Sequence, residues 1–240
     1  MLTPDPFSAR RREEEWMDAP GVDPALLADS LRFIRRVNVL LRYTRATIAH
    51  LEQFSRRWRP GERITMIDFA TGSADIPRAI LAWADRHGFD VRIVGVDLHA
   101  ATAAFARRDV PDPRLSIVRA DVLNLPFDAG SFDYALSAMF LHHLSDDNAL
   151  AVLRAMDRVA RRGIVAADLL RNRRAYRWIS LFTLVSNPMV RHDARVSVAQ
   201  AFSRPEVLGL RDRAGVDYAA FHRHFGHRFV LAGEKPGGQK

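Results

Sequence analysis

The run from Ile64 to Ile80, ITMIDFATGSADIPRAI, carries an apolar stretch to Asp68, passes through small residues, and meets a second acid at Asp75. Ala70, Thr71, Gly72 and Ala74 leave room for a tight turn and for a ligand to approach the main chain closely. Two more acids close apolar stretches downstream. Asp97 ends VRIVGVD, and Asp121 ends RLSIVRAD ahead of apolar Val122 and Leu123. A carboxylate in the first position can accept both hydrogen bonds of a ribose diol. One in the second, backed by an apolar wall, can receive an exocyclic amine beside a purine ring. Capping a helix or facing solvent is the alternative for each acid. Further on stand His142 and His143, in LHHL, and His192 beside Asp193. Imidazole is the side chain best suited to take a proton near neutral pH.

The surrounding pattern says how these residues are positioned. RITMIDF, VRIVGVDL, RLSIVRAD, SFDYALSAMF and GIVAADLL read as buried strands, and between them lie DIPRAILAWADRHG, AATAAFARRD and SDDNALAVLRAMDRVA at helical spacing. Strands alternating with helices predict a parallel sheet with right-handed crossovers, whose ligands sit beyond the carboxyl ends of the strands. The residues following Phe69, Val96, Ala120, Ser137 and Ala167 should therefore carry the site. Asp23 and Pro24 start an apolar helical repeat over Leu27, Leu31, Ile34 and Val37 that continues through Leu51, predicting two helices or one bent helix over 22–60. Residues 1–21 are polar and proline-punctuated, which predicts a disordered tail.

These strand ends describe a nucleoside site without phosphate. A pyrophosphate would lie at the start of the helix beyond Gly72, where Asp75 would oppose it. S-adenosylmethionine has the adenosyl group, carries positive charge and bears no phosphate. The order of motifs resembles the class I S-adenosylmethionine-dependent methyltransferases over about Arg63 to Leu231, and most of all the ubiquinone/menaquinone-biosynthesis type. Asp68-Phe69-Ala70-Thr71-Gly72-Ser73-Ala74 stands in place of hh-D/E-x-G-x-G-x-G, with two glycines replaced by alanine. That replacement is tolerable if the alanines keep φ below zero. The resemblance implies an α/β, Rossmann-like doubly wound sheet of seven strands with the last antiparallel. The domain would cover 61–235 and carry a helical lid insertion over 171–202, with Gly226 at the turn of a final hairpin. By the same resemblance Asp68, Ala70, Thr71 and Gly72 line the methionine moiety, with Asp75 beside them as a ligand or as an acid favoured by the helix dipole. Asp97 and Leu98 hold ribose and adenine, Asp121 and Val122 hold adenine, and Ala138 and Met139 pass beneath the sulfonium. S-adenosylhomocysteine is the expected product.

Methyl transfer from a sulfonium needs orientation and exclusion of water, and a hydroxyl acceptor gains from a base. His143, then His142, then His192 are the candidates. The alternatives are that LHHL packs its loop and that His192–Asp193 is a surface turn. Between the fifth strand and the next helix, Trp178 and Phe182 belong to an apolar segment that reads as an acceptor lid or as a helix packed on the core, and Phe140 joins them as a substrate contact. Arg42, Tyr43 and Arg45 are candidate contacts from the N-terminal helices. A weaker resemblance, to bacterial methyltransferases beside aromatic polyketide or quinone pathways, implies O-methylation of a phenol or hydroxyquinone, with C-methylation as the variant.

Composition narrows the alternatives. The net charge of +8 could suggest nucleic acid, yet the arginines are dispersed and often beside acids. Ser137-Ala138-Met139-Phe140 also lacks the Asn-Pro-Pro-Tyr-like run of nucleobase N-methyltransferases. An RNA or protein methyltransferase and a non-catalytic S-adenosylmethionine-binding module remain the competing readings. The absence of cysteine excludes disulfides and thiolate-ligated metals. There is no carboxylate cluster spaced for magnesium, so no metal is expected. No stretch reaches membrane-spanning length, and the opening residues lack the apolar run of a secretory signal. The expectation is a cytoplasmic chain, and the apolar N-terminal helix allows for a homodimer.

Overall fold

The computed structural model describes residues 7, 9–19 and 21–237. Asp23 caps the first helix, α1 (Pro24–Leu40), through bonds from the Ala25 and Leu26 amides, with Pro24 in the first turn. Arg42, in the left-handed region at φ 58°, breaks the helical run so that α2 (Tyr43–Ser55) follows as a separate helix.

The sheet strands are β1 (Arg63–Phe69), β2 (Asp90–Asp97), β3 (Leu115–Arg119), β4 (Phe132–Ala138), β5 (Ala160–Leu169), β6 (Ala220–His224) and β7 (Arg228–Glu234). Their spatial order is β3-β2-β1-β4-β5-β7-β6. The first five pair in parallel, and β7 runs antiparallel to both β5 and β6. This is the expected seven-stranded arrangement with an antiparallel last strand. Gly226, at φ 79°, lies between β6 and β7.

The helices are α3 (Asp75–His87), α4 (Ala100–Asp109), α5 (Asp146–Val159), α6 (Arg173–Phe182), α7 (Pro188–Gln200) and α8 (Arg204–Ala214). Alternation along the strands divides the core into two layers. Ile64, Met66, Tyr134, Leu136, Val165 and Val230 pack with Leu51, Phe54, Ile80 and Trp83 of α2 and α3. Ile67, Phe69, Ala135, Ile164 and Leu231 pack with Leu153, Met156 and Leu210 of α5 and α8. Both faces are thus covered, as a parallel sheet requires. The strand order reverses between β1 and β4, and the crevice of such a sheet opens at that switch point. Among the described residues no helix is long and apolar enough to cross a membrane.

Residues 9–19 depart from the expected disordered tail. Trp16–Asp18 form a short 3-10 turn, and the Trp16 and Met17 amides donate to the Asp193 carboxylate on α7 at 2.8 and 3.1 Å. Glu15, 4% exposed, accepts bonds from Ser197 and Gln200 of the same helix. Polar side chains order this segment where apolar periodicity is lacking, so its composition alone resembles a solvated tail.

Candidate active site

A cavity of about 920 Å3 opens at the carboxyl ends of the strands. Its size suits a nucleoside together with a second small molecule. One wall is made by the turns after β1, β2 and β3. Asp68, Ala70, Thr71, Gly72, Asp75, Asp97, Leu98, Asp121 and Val122 all line it. Asp68 ends β1 buried, with one carboxylate oxygen accepting from the Thr71 hydroxyl at 2.7 Å and the other, Oδ1, without a partner. Burial, aided by the charges of Asp75 and Asp97 and opposed by the Thr71 hydroxyl, pushes its pKa up to about 7. An orphaned anionic oxygen facing a cavity is matched by a cationic donor and is poorly matched by phosphate.

Asp97 does more than its position in the sequence suggested. It accepts from the Gly72 amide and the His99 amide, each at 3.0 Å, so it ties the β1 turn to the start of α4. Burial raises its pKa. Asp121 likewise fixes its own turn, accepting from the Leu123 amide and the Asn124 side chain. Asp75 opens α3 and accepts from Asn38 of α1 at 3.0 Å. The turn after β1 is tight. Ala70, Gly72 and Ala74 have φ of 55°, 54° and 54°, so the two alanines occupy the left-handed region that the sequence reading required them to avoid. Each carries a cost of about 1–2 kcal/mol relative to glycine's free choice, and Met139, at φ 57° after β4, joins Ala70 as a second such residue in the cavity wall. Non-glycine residues held in this region cluster where a ligand is bound.

The opposite wall is assembled from separate segments. Phe33, Ile34 and Val37 of α1, Trp178 and Ile179 of α6, Val190 of α7 and Phe140 supply an apolar lining. Set into it is a polar knot. His142, 2% exposed, bonds through Nδ1 to Asp168 Oδ1 at 2.6 Å, and its amide donates to Asp168 Oδ2 at 2.8 Å. Burial opposes its charge, but Asp168 and Glu15 outweigh burial and push its pKa up to about 10. His143 bonds through Nδ1 to Asp18 Oδ2 at 2.8 Å. Burial opposes its charge too, and the Glu15 and Asp18 carboxylates raise its pKa nonetheless. Asp18 also lies 3.9 Å from His99, joining the two walls.

The structure thus brings nearly all the sequence-derived candidates to one cavity, Ala138, Met139, Phe140, His142, His143 and Trp178 included. It leaves out two. Phe182 is not itself part of the lining but packs against two residues that are, stacked on Trp178 at 5.0 Å and tilted against Phe33 at 6.4 Å. His192 lies within α7, not in a surface turn, where it bonds to Asp193 at 2.9 Å and stacks on Trp16 at 4.2 Å. Arg42, Tyr43 and Arg45 also stay outside the lining; Tyr43 is core, and the helix break at Arg42 instead puts Asn38 and Leu41 at the cavity. The reading missed Glu15 and Asp18, for which no periodic signal exists. It also gave no role to Asp168, although a charge following Ala167 inside an otherwise apolar strand marked the place.

Residues 66–163 match the model of a methyltransferase domain family. A 2-phytyl-1,4-naphtoquinone methyltransferase of Nostoc punctiforme (strain ATCC 29133 / PCC 73102) is 34% identical over 109 residues, covering 44% of this chain and 45% of that protein. One of the same name from Trichormus variabilis (strain ATCC 29413 / PCC 7937) is 34% identical over 92 residues, covering 37% and 38%. The chain therefore spans less than half the length of these relatives. In fold it is similar to a SAM-dependent methyltransferase from Aquifex aeolicus, with a TM-score of 0.53 at 16% identity over 76% of this chain and 88% of that one. The matched segment carries the acids and the turns of the strand-end wall, and the orphaned Asp68 oxygen and phosphate-averse Asp75 fit the cationic cofactor of that family. Residues 66–163 thus carry a methyltransferase domain, and its cofactor is S-adenosylmethionine.

Proposed function

We propose that the chain transfers a methyl group to an oxygen of a hydrophobic small molecule of phenol or hydroxyquinone type. The supporting observation is one cavity with two walls: an acidic wall of turns at the strand ends, and an apolar wall holding a histidine–carboxylate knot. S-adenosylmethionine, when bound, supplies an electrophilic methyl group on a positively charged sulfur. Asp68, Asp97 and Asp121 hold its polar groups, and Ala70, Thr71 and Gly72 let it approach the backbone. Phe140 and Trp178 grip an aromatic acceptor and exclude water, which leaves orientation as the main contribution to rate. His142 and His143, fixed through Nδ1 by Asp168 and Asp18, line the acceptor side with Nε2 turned towards Glu15 Oε1, so that this polar cluster as a whole orients and activates the acceptor hydroxyl. An apolar wall of this kind suits a small ring better than a phosphate-bearing polymer. The quinone named for the similar Nostoc protein supports a small hydrophobic ring as the acceptor class.

A labelled-methyl transfer screen over phenols, quinols and total RNA tests the proposal. Label on a phenol or quinol oxygen is the expected result. Label only on RNA, or on no acceptor despite cofactor binding, would replace it with one of the competing readings.

A further inference from the structure

The knot between the walls has the geometry of a metal site. Nε2 of His142 and Nε2 of His143 lie 3.6 and 3.8 Å from the same oxygen, Glu15 Oε1. Neither approach is a hydrogen bond. Donor atoms of Glu15, His142 and His143 all lie within 4.8 Å of one another. Donors bound about 2.0–2.2 Å from a zinc-like ion in a tetrahedron stand roughly 3.4 Å apart, and the two Glu15–imidazole distances exceed that by only a few tenths of an ångström.

The partners of the triad point the same way. Each imidazole gives its Nδ1 to a carboxylate, His142 to Asp168 and His143 to Asp18, which fixes the rings so that both Nε2 atoms turn towards Glu15. That carboxylate–histidine pairing is the usual second layer around a metal and raises the basicity of the ligating nitrogen. Glu15 is itself steadied by Ser197 Oγ at 2.6 Å and Gln200 Nε2 at 3.2 Å. All three ligand residues line the cavity, so a fourth position faces the space meant for the acceptor. Three protein ligands with one open position is the pattern of a catalytic rather than a structural zinc site.

We infer that Glu15, His142 and His143 form a binding site for a divalent transition metal of the zinc class, with the open position directed at the acceptor. The site deepens the methyl-transfer reading and rests on it only for the identity of the fourth ligand, the acceptor oxygen. On coordination that oxygen loses its proton to water and gains a bond to the metal, becoming the nucleophile without a protein base taking the proton. The N-terminal segment thereby contributes a ligand and is held over the cavity by the same ion.

The test uses the full chain stripped with chelator and titrated with Co2+, whose visible absorption reports low-symmetry nitrogen and oxygen coordination. About one equivalent should bind and Zn2+ should displace it. Zn2+ should also raise the melting temperature of the wild type. Glu15→Gln, which preserves volume and can keep the Ser197 bond, should lose the absorption and the thermal shift, while S-adenosylhomocysteine still binds. Asp18→Asn should weaken metal affinity about tenfold or more, within the range for second-layer changes, without changing stoichiometry. Absence of the Co2+ signal in the wild type, or an unchanged signal in Glu15→Gln, overturns the inference even where methyl transfer proceeds. Metal binding without transfer to any phenol or quinol supports the site and counts against the reaction instead.

Discussion

The two walls of the cavity are built differently. At the strand ends, three short turns carry acids, and two of these acids also brace the backbone: Asp97 holds Gly72 and His99, and Asp121 holds Leu123. Across from them, the N-terminal segment, α1, the loop after β4, α6 and α7 each lend one or a few side chains. A wall of turns follows from local sequence and the topology of the sheet. A wall of borrowed side chains depends on tertiary contacts between residues more than a hundred positions apart, such as His143 with Asp18. The first wall should govern cofactor affinity and the second the transfer step, so substitutions in each should separate the two.

His142→Ala should have the largest effect. Loss of one of the two groups that activate the acceptor should lower the rate of transfer by about 10²-fold or more, while cofactor affinity changes by less than about threefold. Single-turnover assays at saturating S-adenosylmethionine read the first quantity and calorimetry the second. Equal losses in both would erase the distinction between the walls.

Asp68→Asn should do the reverse. Removing a charged partner of the cofactor costs about 1.5–3 kcal/mol, roughly a tenfold loss of affinity or more, with the rate recovering at high cofactor concentration. The variant also carries a signature in pH. The folded-state pKa of Asp68, about 7, stands above its unfolded value, so the folded state binds the extra proton between pH 4 and 7. Wild-type stability from this group is complete below pH 4 and is lost as pH rises through 7. In melting curves without cofactor, Asp68→Asn should gain on the wild type across that window and match it near pH 4. Parallel curves would mean that Asp68 is not strained by burial.

The sequence made the first wall legible for a physical reason. A sheet of alternating strands and helices puts its ligand at known strand ends, so Asp68, Asp97 and Asp121 could be found from their positions alone. Backbone conformation could not: alanine at positions 70 and 74 reads as φ below zero, and only the closed turn shows both held in the left-handed region. On the second wall, His142 and His143 were visible because they follow a strand. Glu15 lies in the charge run RRREEEW, which reads as a solvated tail until Ser197 and Gln200 are brought against it. His192 and Phe182 were misplaced because helical spacing says which residues share a face, not which neighbour that face meets.

The smallest expected effect sharpens the same point. Ala70→Gly relieves left-handed strain of about 1–2 kcal/mol but adds unfolded-state freedom of about 0.5–1 kcal/mol, for a net gain of up to about 1 kcal/mol in denaturant unfolding. Cofactor affinity should move by less than about threefold. Destabilisation would show that the methyl group of Ala70 makes packing contacts worth more than the strain.

Calorimetric titration of the purified chain with S-adenosylmethionine, S-adenosylhomocysteine and NADH addresses the acidic, phosphate-averse wall most directly. Saturable binding of both adenosyl-sulfur ligands and no detectable binding of NADH is the predicted result. Tight binding of NADH with none of the other two would contradict it.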